Sequence, residues 1–299
     1  APVLSSVSGT VKEVGLKMTS SGTLEMCVTV ENDGRYEKDP SWAPLADYEN
    51  ADPKEYVKRI REAGIVGFGG ATFPTAVKLS PPPDKNIEWL IVNGVECEPY
   101  LNCDNRLMLE NGYKIVEGLK LIMRIFPSAK GVIAIENNKP EALAAMTELA
   151  AKSGCENISV KALNVKYPQG AEKMLIEALT GREFVMTALP ADVGCIILNV
   201  RTVCQIRDAI VDGAPALTRI VTVTGEAVAS PKNVHVPLGT SMREIVDFCG
   251  GFKEQPVKIL SGGPMMGTSL RTIDIPVVKG TSGILALTKD SAALAPESA

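Results

Sequence analysis

The chain has 299 residues, 45% of them hydrophobic and 22% charged, with a net charge of −4, so it is long enough for two or three domains. The acidic balance supplies no basic field for a nucleic-acid backbone, and no apolar run approaches the roughly 18 residues needed to span a bilayer. Seven scattered cysteines without a CxxC pair, and a single histidine, His235, leave neither a zinc pattern nor a complete cluster-ligand set. They read as packed thiols in a reducing compartment.

In chain order, Val3 to Val30 alternates β-branched and small residues around turn signals at Ser8-Gly9 and Ser20-Ser21-Gly22, which predicts short strands. The polar, proline-containing stretch 31–50 reads as a linker. Asp52 then caps a helix that has Pro53 at its first position, Tyr56, Val57 and Ile60 on one face, and Gly64 at its end. A glycine-rich loop follows. The run 87–93 is a buried strand, and apolar spacing over 107–126 predicts a helix.

A strand at 131–136, a helix opened by Pro140, a strand at 158–163 and a helix at 171–179 continue the alternation expected of an α/β layer. Beyond residue 214, short strands around one helix predict an α+β unit. The expected organisation is 1–50 as a β module with linker, 51–214 as the α/β domain, and 215–299 as the α+β domain and tail.

Four stretches carry possible chemistry. In Gly64 to Lys78, the glycines Gly67, Gly69 and Gly70 leave backbone amides unobstructed, and Lys78 adds a cation, a combination that can cradle a phosphate. The alternative is a ligand-free surface turn. In Asn93 to Arg106, at the end of a predicted strand, Asn93 offers donor and acceptor to a heterocycle edge, and Glu96 and Glu98 offer acceptors to sugar hydroxyls. An acidic loop capping the next helix through Asp104 is the competing reading. Cys97 between the two glutamates reads as a packed thiol. Glu172 opens a helix after Gly170, which capping alone explains, and Asn199 ends a short apolar strand.

Taken in order, GxGGATFPTxVK, VNGVECEP with a downstream NR, YPQGAEK and LNVRTV resemble the flavin-binding subunit of respiratory complex I and, more closely, the C subunit of the Rnf complex. That resemblance implies FMN held by Gly67, Gly69, Gly70, Lys78, Asn93, Glu96 and Asn199, with NADH as substrate contacted by Phe73, Glu98 and Glu172. No catalytic side chain and no protein-bound metal are implied. Thr72 stands where the family usually has glycine, and Ala171 replaces a glutamate of the complex I relatives.

The opening segment is similar to a barrel-sandwich module, and residues from Thr218 to Gly267 resemble a β-grasp domain of the soluble-ligand-binding type, in which Gly262 to Gly267 reads as a tight turn with core methionines. The implied activity is ion-translocating ferredoxin:NAD+ oxidoreduction by a subunit peripheral to the cytoplasmic face of the membrane. Its partners would be NAD(H), the other subunits and a ferredoxin-linked chain, with 4Fe-4S clusters on a C-terminal segment beyond this core. A cobalamin-reductase-type flavoprotein and a flavin-free adaptor are the alternatives.

Overall fold

A computed structural model describes residues 1–183, 185 and 187–292; the tail from 293 lies outside the described residues. The chain divides into two compact units, one of residues 1–4, 40–97 and 104–216, the other of residues 5–39, 98–103 and 217–299.

The first unit is a parallel four-stranded sheet wrapped by helices. Its strands are β3 (Trp89–Gly94), β4 (Lys130–Glu136), β5 (Ile158–Leu163) and β6 (Cys195–Asn199), in the spatial order β5-β4-β3-β6. Ile91, Val92, Ile133, Ala134, Ile196 and Ile197 are all buried, as strands covered on both faces require. The chain runs outward from β3 to β4 to β5 and then returns to the other side of β3 as β6. The order of strand addition therefore reverses between β3 and β6, and sheets of this kind hold ligands beyond the carboxyl ends of the strands at such a point.

Helix α1 (Pro53–Glu62) starts as its sequence predicts, with Asp52 accepting from the Lys54 amide at 2.8 Å and Pro53 in the first turn. After α2 (Thr75–Lys78) and β3 comes α3 (Cys103–Ile125), kinked at Asn111. It begins four residues before the predicted start. The reason is remote capping: the Glu96 carboxylate accepts from the amides of Asp104 at 2.9 Å and Asn105 at 3.1 Å. Helices α4 (Pro140–Lys152), α5 (Glu172–Thr180) and α6 (Val200–Val211) complete this layer. Gly181, left-handed at φ 68, ends α5.

The stretch predicted as a free linker is anchored in part. The Leu45 amide donates to Ile210 O at 2.8 Å, and Gly213 lies so close to Ala43 that any Cβ there would collide with its backbone. Polar composition hid this contact because it is made by main chain.

In the second unit, β7 (Thr218–Thr224), β8 (Lys232–Pro237), β9 (Lys258–Ser261), β10 (Thr268–Ser269) and β11 (Gly283–Leu287) form a mixed sheet ordered β10-β9-β11-β7-β8. Met242, Ile245 and Val246 of α7 (Met242–Phe248) pack with Val221, Val223 and Ile284 of this sheet. The same unit includes an antiparallel hairpin of β1 (Gly9–Met18) and β2 (Leu24–Asn32), turned at Ser20-Ser21-Gly22. Its strands are longer than the predicted short ones. A bulge at Lys12 resets the alternation, so that Val11, Val14, Leu16 and Met18 share one face with Val30, Val28, Met26 and Leu24.

The turn at Gly262–Gly267 departs from its sequence reading. Met265 and Met266 are 54% and 79% exposed, not core residues. Their amides donate to the Glu98 carboxylate at 3.1 and 2.7 Å, and this clasp orients the turn with its side chains outward. Periodicity cannot reveal it, because Glu98 lies more than 160 residues away in the chain.

Candidate flavin and nucleotide site

The site is built at the carboxyl ends of β3 and β6. Asn93 and Asn199, the last polar residues of the two strands, are register partners in the parallel ladder. Each is already held by hydrogen bonds within the protein. Asn93 Nδ2 donates to Gly170 O at 2.9 Å while its Oδ1 accepts from the Val95 amide at 3.0 Å. Asn199 Oδ1 caps α6 by accepting from the Arg201 amide at 2.9 Å, and its Nδ2 donates to Asp104 at 2.6 Å. An amide group carries two donors and two acceptor lone pairs, so both side chains retain capacity for a ligand.

The glycine loop closes over β6. An antiparallel bridge between Val66 and Pro74 pins its base, with Gly67 N donating to Phe73 O at 2.8 Å and Thr75 N to Ile65 O at 3.2 Å. Phe68 is buried, and its amide donates to the buried hydroxyl of Thr202 at 3.0 Å. These anchors leave Gly69 to Phe73 exposed, Phe73 at 50%. A Cβ on Gly69 would lie 3.5 Å from the Asn199 Cβ, which places the loop directly against the end of β6. Gly70 sits at φ +111 with open space where a Cβ would project. Thr72 takes φ +53, a left-handed conformation that strains a β-branched residue and that glycine adopts freely.

Lys78, the last residue of α2, reaches the same strand: its Nζ donates to Ile197 O at 2.9 Å and to Glu172 Oε1 at 2.5 Å. Glu172 begins α5, whose N-cap Ala171 provides no side-chain cap. The preceding Gly170 packs so tightly under the loop after β3 that a Cβ would meet Val95 O at 2.8 Å and Cys97 Sγ at 3.3 Å.

Glu96 lies largely buried on the first amides of α3. Burial and the neighbouring charge of Asp104 push its pKa up to about 7, against the opposing pull of the Asp104 amide. Lys139 donates to Glu96 O at 3.1 Å and to the buried Glu136 at 3.1 Å. Among the thiols, burial raises Cys195 to about 11 and Cys204 to about 12, which marks them as inert packing groups. No disulfide joins the seven cysteines.

The first unit thus brings together Gly67, Gly69, Gly70, Lys78, Asn93, Asn199 and Glu172, with Glu96 capping the helix that begins beside them. Glu98 belongs to the second unit, where its carboxylate holds the Met265–Met266 turn. Two further contributors, Thr202 behind the loop and Asp104 beside Asn199, fall within or near the quoted motifs, but no sequence argument gave them these partners.

FMN fits this donor set. The loop's exposed glycine backbone, the open side of Gly70 and the Lys78 ammonium suit a phosphate, and the paired asparagines suit the polar edge of a heterocycle. Residues 60–208 match the Nuo51 FMN-binding domain family, and residues 220–269 match the SLBB domain family. The chain is 46% identical over 297 residues to the C subunit of the Na(+)-translocating ferredoxin:NAD(+) oxidoreductase complex of Acetobacterium woodii, covering 99% of this chain and 67% of that protein. The chain belongs to the family of Rnf complex C subunits.

Another member, the C subunit of the proton-translocating ferredoxin:NAD(+) oxidoreductase complex of Clostridium ljungdahlii, is 48% identical over 290 residues, covering 97% of this chain and 63% of its own length. The C subunit of the ion-translocating oxidoreductase complex of Rhodobacter capsulatus is 42% identical over 269 residues, 90% of this chain and 51% of the relative. The chain therefore spans about half to two thirds of these family members. Crystal structures of NAD+-reducing [NiFe]-hydrogenase in the H2-reduced and air-oxidized states share the fold, with TM-scores of 0.66 and 0.67 at 21% and 23% identity. They cover 84% and 82% of this chain and 51% and 48% of theirs. Among the described residues no helix is long and apolar enough to cross a membrane.

Proposed function

We propose that this chain is the NADH- and FMN-binding core of a ferredoxin:NAD+ oxidoreductase subunit that serves an ion-translocating complex. The observation that carries the reading is the alignment of Asn93 and Asn199 at the reversal point of the sheet, with the glycine loop laid against Asn199. FMN held there would supply the chemistry of hydride exchange with a nicotinamide and of single-electron transfer to iron–sulfur centres.

The protein's own contribution is placement. Gly67, Gly69 and Gly70 offer backbone to the phosphate, with Lys78 as the cation beside them. Asn93 and Asn199, immobilised by their hydrogen bonds, present remaining amide protons and lone pairs to the flavin. Glu96 offers its carboxyl to ribityl hydroxyls while capping α3. Half-exposed Phe73 supplies a face on which the dinucleotide stacks, and Glu172 accepts from its hydroxyls. No side-chain acid or base is needed for a hydride step.

In this reading the subunit sits peripherally at the cytoplasmic face of the membrane, bound to other subunits and linked to ferredoxin. The test is reconstitution with FMN followed by NADH-driven reduction of a one-electron dye. Turnover that requires both FMN and NADH is expected. A flavin-loaded chain that NADH cannot reduce would contradict the oxidoreductase reading.

A further inference from the structure

The Lys78–Glu172 pair joins two residues assigned to two different ligands. Lys78 Nζ has three protons, of which one goes to Ile197 O and one to Glu172 Oε1, at 2.9 and 2.5 Å. The side chains are 25% and 44% exposed, so the pair is only partly screened by water. Neither α2 nor α5 has a side-chain N-cap to hold it there by other means. The cation that draws in a phosphate is thus already neutralised by a carboxylate.

Resting on the flavin reading, we propose that Glu172 is an internal stand-in for the FMN phosphate: the two compete for Lys78, and Glu172 sets flavin affinity by opposing it. A phosphate dianion arriving at Lys78 meets the like charge of Glu172 at the distance of a shared hydrogen-bond partner. It must displace that carboxylate or bind beside it, and either route costs affinity. Once Glu172 is uncharged, that opposition disappears. The competition acts through the phosphate alone, so a flavin without one is indifferent to it.

The experiment is a fluorescence titration of the whole chain with FMN and, separately, with riboflavin, for wild type, Glu172→Gln, Lys78→Ala and the double variant. Glu172→Gln should tighten FMN by about two- to fivefold, the scale of a partly exposed ion pair, and leave riboflavin unchanged. In the Lys78→Ala background the same substitution should have a clearly smaller effect on FMN, because only the direct like-charge repulsion then remains. Unchanged or weaker FMN binding by Glu172→Gln overturns the inference, as does tightening that is just as large without Lys78. Riboflavin affinity shifting in parallel with FMN also overturns it, since the effect would then lie outside the phosphate. Failure of the wild type to bind FMN overturns the flavin reading itself, and this inference with it.

Discussion

Asn93 and Asn199 face each other as register partners across β3 and β6, although 105 intervening residues build two further strands and three helices between them. The strand order reverses at this pair, the place where open parallel sheets hold their ligands, and every polar group proposed for the flavin in the first unit comes from a segment near it.

Thr72 holds φ +53 in the glycine loop, a conformation that costs a β-branched residue on the order of 1–3 kcal/mol. Thr72→Gly removes this strain and adds back about 1 kcal/mol of backbone entropy cost. A net gain of about 1 kcal/mol in urea unfolding is expected. A loss of stability would show that the threonine side chain contributes contacts that outweigh the strain.

Thr202 accepts from the buried Phe68 amide and so ties the loop to α6. Thr202→Val keeps the shape and removes the hydroxyl acceptor of that amide, at a cost of about 1–3 kcal/mol. Because the loop's position depends on this bond, FMN affinity should fall as well. Stability and affinity both unchanged would mean that the bridge between Val66 and Pro74 suffices.

The raised pKa of Glu96 has a defined consequence for pH. Its folded value of about 7 lies above the ordinary value of 4.5, so between those limits the folded state holds a proton that the unfolded state has released. The group's contribution to stability is then favourable at low pH and is lost as pH rises from about 4.5 to about 7. Glu96→Gln should flatten this slope and leave the protein relatively more stable at pH 8. Denaturant titrations at pH 5, 6, 7 and 8 read this directly; an unaltered slope would remove Glu96 as its source.

Glu98 accepts from the amides of Met265 and Met266. Glu98→Ala should accelerate hydrogen exchange at those two amides while leaving β7 and β11 protected. Protection retained at Met265 and Met266 would show that the turn is held by its glycines alone.

Much of the α/β layer was legible because its signals are local: the apolar run before Asn93, the Asp52-Pro53 helix start and the Gly64 that closes that helix each act within a few residues. The glycine loop was legible for the same reason, its residue types being dictated by backbone. What escaped was tertiary. Glu96 capping α3 and Thr202 anchoring Phe68 are contacts between polar groups whose partners no period or spacing identifies. The exposed Met265–Met266 turn misled because methionine is usually a core residue, and only the Glu98 clasp explains its orientation. Lys78 was found as a cation near the loop, but its pairing with Glu172 depends on how α2 and α5 meet.

Placement of a flavin phosphate between the glycine loop and α2 is tested by an equilibrium titration of the purified chain with FMN, followed by flavin fluorescence, beside the Lys78→Ala variant. Saturable one-to-one binding that weakens at least several-fold without Lys78 is the predicted result. Binding that is absent, or that ignores the loss of Lys78, would contradict that placement.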